Sequence, residues 1–365
     1  MLKWILLGLV ALLAIGATIW ANPGPPDPPP TYDGPMEPAA ARAGVYADAA
    51  GQQWLVVPDL SGDTHRFALD GVNPPDGPTG DDELTRLGEQ PYTIEDVSLD
   101  GDTPMAGWLI RPAQTTGAGL VILHGSGNSD RESGYYIAWL DRLARQGHTL
   151  ILPDKRGSGR SGGDWRNEPL TVLAQDGADW MALLRRRTAL PAYGFFGISQ
   201  GGAVAPEAAR LAEAAFAVAI GSSMTDFDTQ VRHEVGNDVR AAGVPGWLED
   251  PLADLYTWRA KRRQPGFWEA NGKYSPLDRW REWRGPYFIA YGRQDESDNV
   301  PVSASLDLLA GAAGEGPLAF AAYDGASHGL VAEDGDFAEP FLRDLFAWLD
   351  GRVAAAMAED RPGAR

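Results

Sequence analysis

The chain has no cysteine. Disulfides, thiolate nucleophiles, thiolate metal sites and a lipid-modified N-terminal cysteine are excluded with it. The absence does not name a compartment, because an exported protein can do without disulfides. Positive charge is scarce as well. Lys and Arg total 31 against 50 Asp and Glu, for a net charge of −19. That balance argues against a nucleic-acid partner, makes an anionic membrane surface unattractive, and otherwise reads as solubility. Histidines number five and do not gather with other ligand types at metal-binding spacings. Asp295, Glu296 and Asp298 lie close together, but the flanking helices, loop glycine and wider ligand series of a calcium loop are missing. Neither a metal nor a cofactor is expected.

Long apolar runs are also few, and one stands out. Residues 4–21 are apolar throughout, which at about 18 residues is the lower limit for a membrane span. A cleaved signal peptide needs small residues at both −3 and −1 of the cut. Cutting after Ala21 puts Ile19 at −3, and cutting after Ala17 puts Ile15 there. Trp4 and Trp20 bracket the run as interface-anchoring aromatics do. Residues 1–21 therefore read as an uncleaved anchor in the cell envelope, cytoplasmic at Met1, with the remainder exported. A cleaved signal and a periplasmic or secreted product are the alternative. Contact with the membrane is expected through this segment only. Residues 22–43 form a Pro-rich linker, extended and unable to pack.

The body follows. Residues 44–90 hold short apolar runs and a Pro/Gly/Asp loop at 73–82, which predicts a small N-terminal β unit. Residues 92–99 and 104–110 alternate around Asp100-Gly101-Asp102, the pattern of a hairpin. From Gly117 continuous apolar strands are expected at 119–123, 148–152, 193–196, 215–220, 286–291 and 318–323. Helical stretches lie at 135–145, 176–187, 302–309 and 337–353. Continuous strands alternating with helices mean an α/β fold with a doubly wound, mostly parallel sheet. Residues 222–285 break the alternation with many charges, no clear strand and Trp247, Trp258, Trp268, Trp280 and Trp283. They predict a helical cap insertion within a domain spanning 91–353. Its tryptophans either form the cap's own core or line a lid over the site. Residues 354–365 read as a flexible tail.

Everything turns on Gly197-Ile198-Ser199-Gln200-Gly201-Gly202. It is a G-x-S-x-G placed between an aromatic strand and an alanine-rich helix. Glycines beside the serine let strand and helix pass close together, and the turn pushes the hydroxyl out at the carboxyl end of the sheet. Free serine is a weak nucleophile and needs a base. Of the histidines, only His328 follows the last predicted strand, in the small-residue loop Gly325-Ala326-Ser327-His328-Gly329.

These residues resemble the α/β-hydrolase superfamily. Gly197 to Gly201 match its nucleophile elbow. His124-Gly125-Ser126-Gly127 match its H-G-x-x oxyanion loop. The stretch from Asp154 to Gly162, DKRGSGRSG, is similar to its D-x-R-G-x-G-x-S-x-G turn. Gly292-Arg293-Gln294-Asp295 and Ser327-His328-Gly329 resemble its acid and histidine segments. The resemblance covers roughly residues 92–353. It implies an α/β-hydrolase sheet with a helical cap and a serine hydrolase acting on a small-molecule acyl substrate, with Ser199 as nucleophile and His328 as base. The acid is expected at Asp295, ahead of Asp298 and then Glu296. The oxyanion amides are those of Ser126 and Gln200. His124, Asp154, Arg156 and Ser161 read as structural. An ester is the expected substrate. A peptidase or acyltransferase on the same fold, or a non-catalytic envelope binding protein, are the alternatives.

Overall fold

The computed structural model describes residues 43–58, 64–71 and 84–359. The expected anchor, the linker up to residue 42, the loop at 73–82 and the end of the tail lie outside the described residues. Among the described residues no helix is long and apolar enough to cross a membrane.

The N-terminal β unit is a four-stranded sheet made of β1 (Gly44–Ala47), β2 (Gln53–Pro58), β3 (Thr64–Ala68) and β4 (Thr85–Arg86), in the order β3-β2-β1-β4. It is not separate from the main domain. Val45, Leu55, Val57 and Phe67 join the same buried cluster as Ile122, Trp139 and Phe341.

The main sheet has eight strands: β5 (Tyr92–Leu99), β6 (Met105–Pro112), β7 (Gly119–Leu123), β8 (Thr149–Pro153), β9 (Tyr193–Ile198), β10 (Phe216–Ile220), β11 (Tyr287–Gly292) and β12 (Leu318–Tyr323). Their order is β12-β11-β10-β9-β7-β8-β6-β5. The predicted hairpin β5–β6 is antiparallel and attaches antiparallel to β8, and every other pair is parallel. Strands β7 to β10 are buried on both faces, so they read as unbroken apolar runs. Alternate residues still part to opposite layers. Ile122, Phe196 and Ile198 face one cluster, with α1 (Gly134–Arg145) and the C-terminal helix α9 (Glu339–Glu359). Val121, Leu123 and Phe195 face the other, with α2 (Leu170–Arg187) and α3 (Gln200–Leu211).

Two predicted helices shift. Helix α2 starts at Leu170, ahead of the expected 176, because a cap residue distant in sequence completes its first turn: the Leu170 amide donates to Asn271 Oδ1 at 2.8 Å. Helix α9 starts at Glu339, since Phe337 pairs instead in a bridge with Val331. The insertion is helical as predicted, with α4 (Phe227–Ala241), α5 (Gly246–Arg263), α6 (Pro265–Asn271) and α7 (Pro276–Trp283) between β10 and β11. Helix α8 (Val302–Ala312) follows β11.

Candidate active site

Strand β9 ends at Ile198, and Ser199 takes φ 52° and ψ −118° before α3 begins. Positive φ is costly for a residue with a side chain, on the order of 1–3 kcal/mol, and it persists only where the surroundings enforce it. Here they do. The Ser199 amide donates to Ile220 C=O at 2.7 Å, and its own carbonyl accepts from the amides of Gly202 at 2.9 Å and Ala203 at 3.2 Å. The helix also lies close against β7, so that a Cβ on Gly201 would fall 2.0 Å from Leu123 O.

His328 lies in the loop after β12, and its Nδ1 meets Asp295 Oδ2 at 2.7 Å. Asp295 is fully buried and sits in a 3-10 turn that continues β11. Its other oxygen accepts the Asn299 amide at 3.2 Å. Asp298 is exposed and engages this region through its backbone, its amide donating to Asp295 C=O at 3.0 Å. Glu296 turns to α8, where its Oε2 accepts the Ser303 amide at 2.6 Å. Of the three candidate acids, then, the structure brings Asp295 to the histidine.

The imidazole is pinned on several sides. Tyr135 donates its hydroxyl to the next residue's carbonyl, Gly329 C=O, at 3.0 Å. Gly221 has φ +57°, and a Cβ there would sit 3.1 Å from the His328 ring. Burial alone would lower the His328 pKa. The hydrogen bond and charge of Asp295, helped by the fields of Asp298 and Glu234, outweigh it and raise the pKa above the ordinary histidine value.

Ser126 and Gln200 flank this arrangement. Gln200 is the first residue of α3, where the helix dipole favours negative charge. Among the described residues neither the Ser126 nor the Gln200 amide has a backbone acceptor. His124 holds the loop from below, with Nε2 at 2.6 Å from Pro153 C=O and its ring edge-on to Tyr136, whose hydroxyl receives the Gly125 amide at 2.7 Å. Burial pushes the His124 pKa down to about 4, so the ring stays neutral. The other expected structural residues are also bonded. Asp154 accepts from the Arg131 guanidinium at 2.8 Å and the Arg160 amide at 2.9 Å. Ser161 Oγ donates to Asp154 C=O at 2.8 Å, and Arg156 pairs with Asp176 at 2.5 Å.

Ser199, His328 and Ser126 line one cleft of about 360 Å³, within the usual range of small-molecule sites. The cap contributes Gln230 and Glu234, one turn apart on α4. Neither was singled out from sequence, and their only signal was i, i+4 spacing on a polar helix. The tryptophan lid is a correction: no cap tryptophan lines this cleft. Helix α5 sits on α4 through Ala253 and Thr257 and through Arg232 pairing with Asp250 and Asp254, which leaves Trp247 77% and Trp258 48% exposed. Trp280, on α7 of the insertion, is fully buried in the cluster that also holds Tyr287 and Leu309. Among the described residues no group of His, Asp or Glu could hold a metal ion.

Solved structures with this architecture are numerous. An esterase from Pyrococcus furiosus is similar over 78% of this chain and 98% of its own, at 17% identity and a TM-score of 0.53. An α/β hydrolase from a Penicillium species is similar over 72% of this chain and 99% of its own, at 19% identity and a TM-score of 0.53. A sequence search among curated proteins finds no match. Residues 120–342 match the model of the alpha/beta hydrolase family, which takes in the elbow, Asp295 and His328. The chain belongs to the α/β hydrolase family.

Proposed function

We propose that this chain is a serine hydrolase that cleaves a carboxylic ester through Ser199, His328 and Asp295. One arrangement carries the reading. A serine held at positive φ faces the same cleft as a histidine whose far nitrogen is bonded to a buried carboxylate. His328 Nε2 takes the Ser199 proton as Oγ attacks the substrate carbonyl, and Asp295 fixes the tautomer and stabilises the imidazolium. The carbonyl oxygen becomes an oxyanion received by the amides of Ser126 and Gln200. Losing one such donor typically costs about 3 kcal/mol. Collapse of the tetrahedral intermediate expels the alcohol, which takes the proton from His328, and leaves an acyl-enzyme. Water then gives its proton to His328 and attacks the acyl carbon, and Ser199 leaves with that proton, releasing the acid.

In the same reading the domain works outside the cytoplasm, tethered by residues 1–21 through the Pro-rich linker. A reporter fused after residue 43 tests this, being active only when exported.

The test of the chemistry is a fluorophosphonate probe with p-nitrophenyl esters of increasing acyl length. Labelling at Ser199 and ester turnover, both abolished in Ser199→Ala, are expected. Labelling with turnover of peptide amides in place of esters would replace the esterase reading with a peptidase. No labelling of a folded chain would point to a binding protein.

A further inference from the structure

We propose that Lys155 is a positioning residue of this site: its Nζ bridges the Ser126 loop to the nucleophile elbow and sets the spacing of the oxyanion amides. The inference rests on the proposed hydrolytic reading and adds a part to it.

Lys155 is the second residue after β8, and its side chain is buried, with 7% of the residue exposed. Nζ donates to Gly125 C=O at 2.7 Å and to Gln200 Oε1 at 2.7 Å, with Gly127 C=O at 3.4 Å. Gly125 and Gly127 flank Ser126, and Gln200 follows Ser199. The three acceptors therefore belong to the two segments whose amides are to receive the oxyanion. The Trp165 ring closes another side, with Nζ 3.9 Å from its centroid.

The Gly125 carbonyl and the Ser126 amide are two ends of one peptide group. Donation to that carbonyl polarises the group and makes the Ser126 N–H a stronger donor, by the cooperativity of linked hydrogen bonds. The same Nζ ties the side chain of Gln200, whose backbone N–H is the second donor, to the first. One buried amino group thus holds both halves of the oxyanion pocket at a fixed separation, and a fixed separation is what lets such donors act without reorganising as charge develops.

The environment is a costly one for a lysine. Among the described residues no carboxylate pairs with it, and burial pushes its proton affinity well below the ordinary lysine range. The Trp165 ring and the carbonyl oxygens oppose that shift. An apolar side chain would fill the space with less desolvation. Such a trade of stability for geometry is characteristic of functional sites.

The test uses the full chain with Lys155→Met and Gln200→Met. The second variant removes the far acceptor and leaves the Gln200 amide in place. Each is measured for kcat and KM on p-nitrophenyl acetate, for affinity towards phenylboronic acid, and for melting temperature. The boronic acid adds to serine and places an oxygen where the oxyanion forms. In Lys155→Met, kcat/KM is expected to fall on the order of 10²-fold, the loss seen when one oxyanion donor goes. Boronate affinity should fall by the same factor, with KM within about threefold of wild type. Gln200→Met should show a smaller loss of the same kind, and the double variant should be no worse than Lys155→Met alone. Retained boronate affinity in either folded variant, or multiplicative losses in the double variant, would overturn the bridge. Should Lys155→Met fail to fold, unchanged kcat and boronate affinity in Gln200→Met would overturn it equally. A wild-type chain that neither turns over esters nor binds the boronate would overturn the hydrolytic reading, and the bridge with it.

Discussion

The hydroxyl of Tyr287 donates at 2.8 Å to the carbonyl of Gly202. That carbonyl lies one turn before Pro206, which sits inside α3 and has no amide to offer it. A fully buried side chain on β11 thus replaces a missing backbone bond in the helix that carries the nucleophile, and locks that helix to the sheet. Tyr287→Phe leaves a buried acceptor unpaired and should cost about 1–3 kcal/mol in urea unfolding, with ester turnover little changed. Pro206→Ala restores the amide, so the Tyr287→Phe loss should shrink in that background. Equal losses in both backgrounds would mean that the hydroxyl and the proline are unrelated.

Asp295→Asn should lower kcat by about 10³–10⁴-fold, because the amide would hold His328 in the wrong tautomer. Asp298→Asn should stay within about threefold of wild type, since its exposed carboxylate only adds to the field. Glu296→Gln weakens a bond to the first turn of α8 and should affect melting more than turnover. Steady-state kinetics on one ester decide the ranking. A larger loss in Asp298→Asn than in Asp295→Asn would move the acid.

The base must be neutral to take the serine proton, so kcat/KM should rise with pH through the His328 titration. The pKa is raised, so the midpoint should lie on the alkaline side of about 6.5, the unperturbed value. Glu234→Gln removes one of the negative fields and should move that midpoint towards acid. The same raised pKa stabilises the folded state below the unfolded-state value, and that contribution is lost as pH rises through the folded-state pKa. A wild-type midpoint below the unperturbed value, with chemistry rate-limiting, would contradict the geometry around His328.

Much of this site was legible because its parts sit where strands end. Ser199 and His328 could be placed from glycine spacing and strand order alone. The choice among Asp295, Glu296 and Asp298 could be ranked but not decided, because the carboxylates are neighbours in sequence. What separates them is that one is buried and two are not, a property of the fold. Lys155 gave no signal, since its partners Gly125 and Gln200 lie 30 and 45 residues away. The N-terminal strands read as a separate unit, since alternation shows that a face is buried and not what covers it. The cap misled for a related reason. Aromatic content marks a helical segment as needing burial or contact, yet only packing shows which helix face turns towards the cleft.

That correction yields the last prediction. Trp247 and Trp258 are exposed on α5, whereas Gln230 and Glu234 of α4 line the cleft and Trp280, on α7, is buried in the core. Trp247→Ala should therefore leave both the melting temperature and the relative rates across an ester panel unchanged, as exposed substitutions usually do. Trp280→Ala should cost about 3–5 kcal/mol, the range for deleting a buried aromatic. Its indole also gives up the 2.9 Å hydrogen bond to Gly285 C=O. Glu234→Ala and Gln230→Ala should change KM and acyl preference with little change in melting, because they line the cleft and not the core. Thermal melts run beside the ester panel separate the three behaviours. An altered acyl preference in Trp247→Ala, at unchanged melting temperature, would mean that α5 folds over the cleft during turnover and would restore the tryptophan lid.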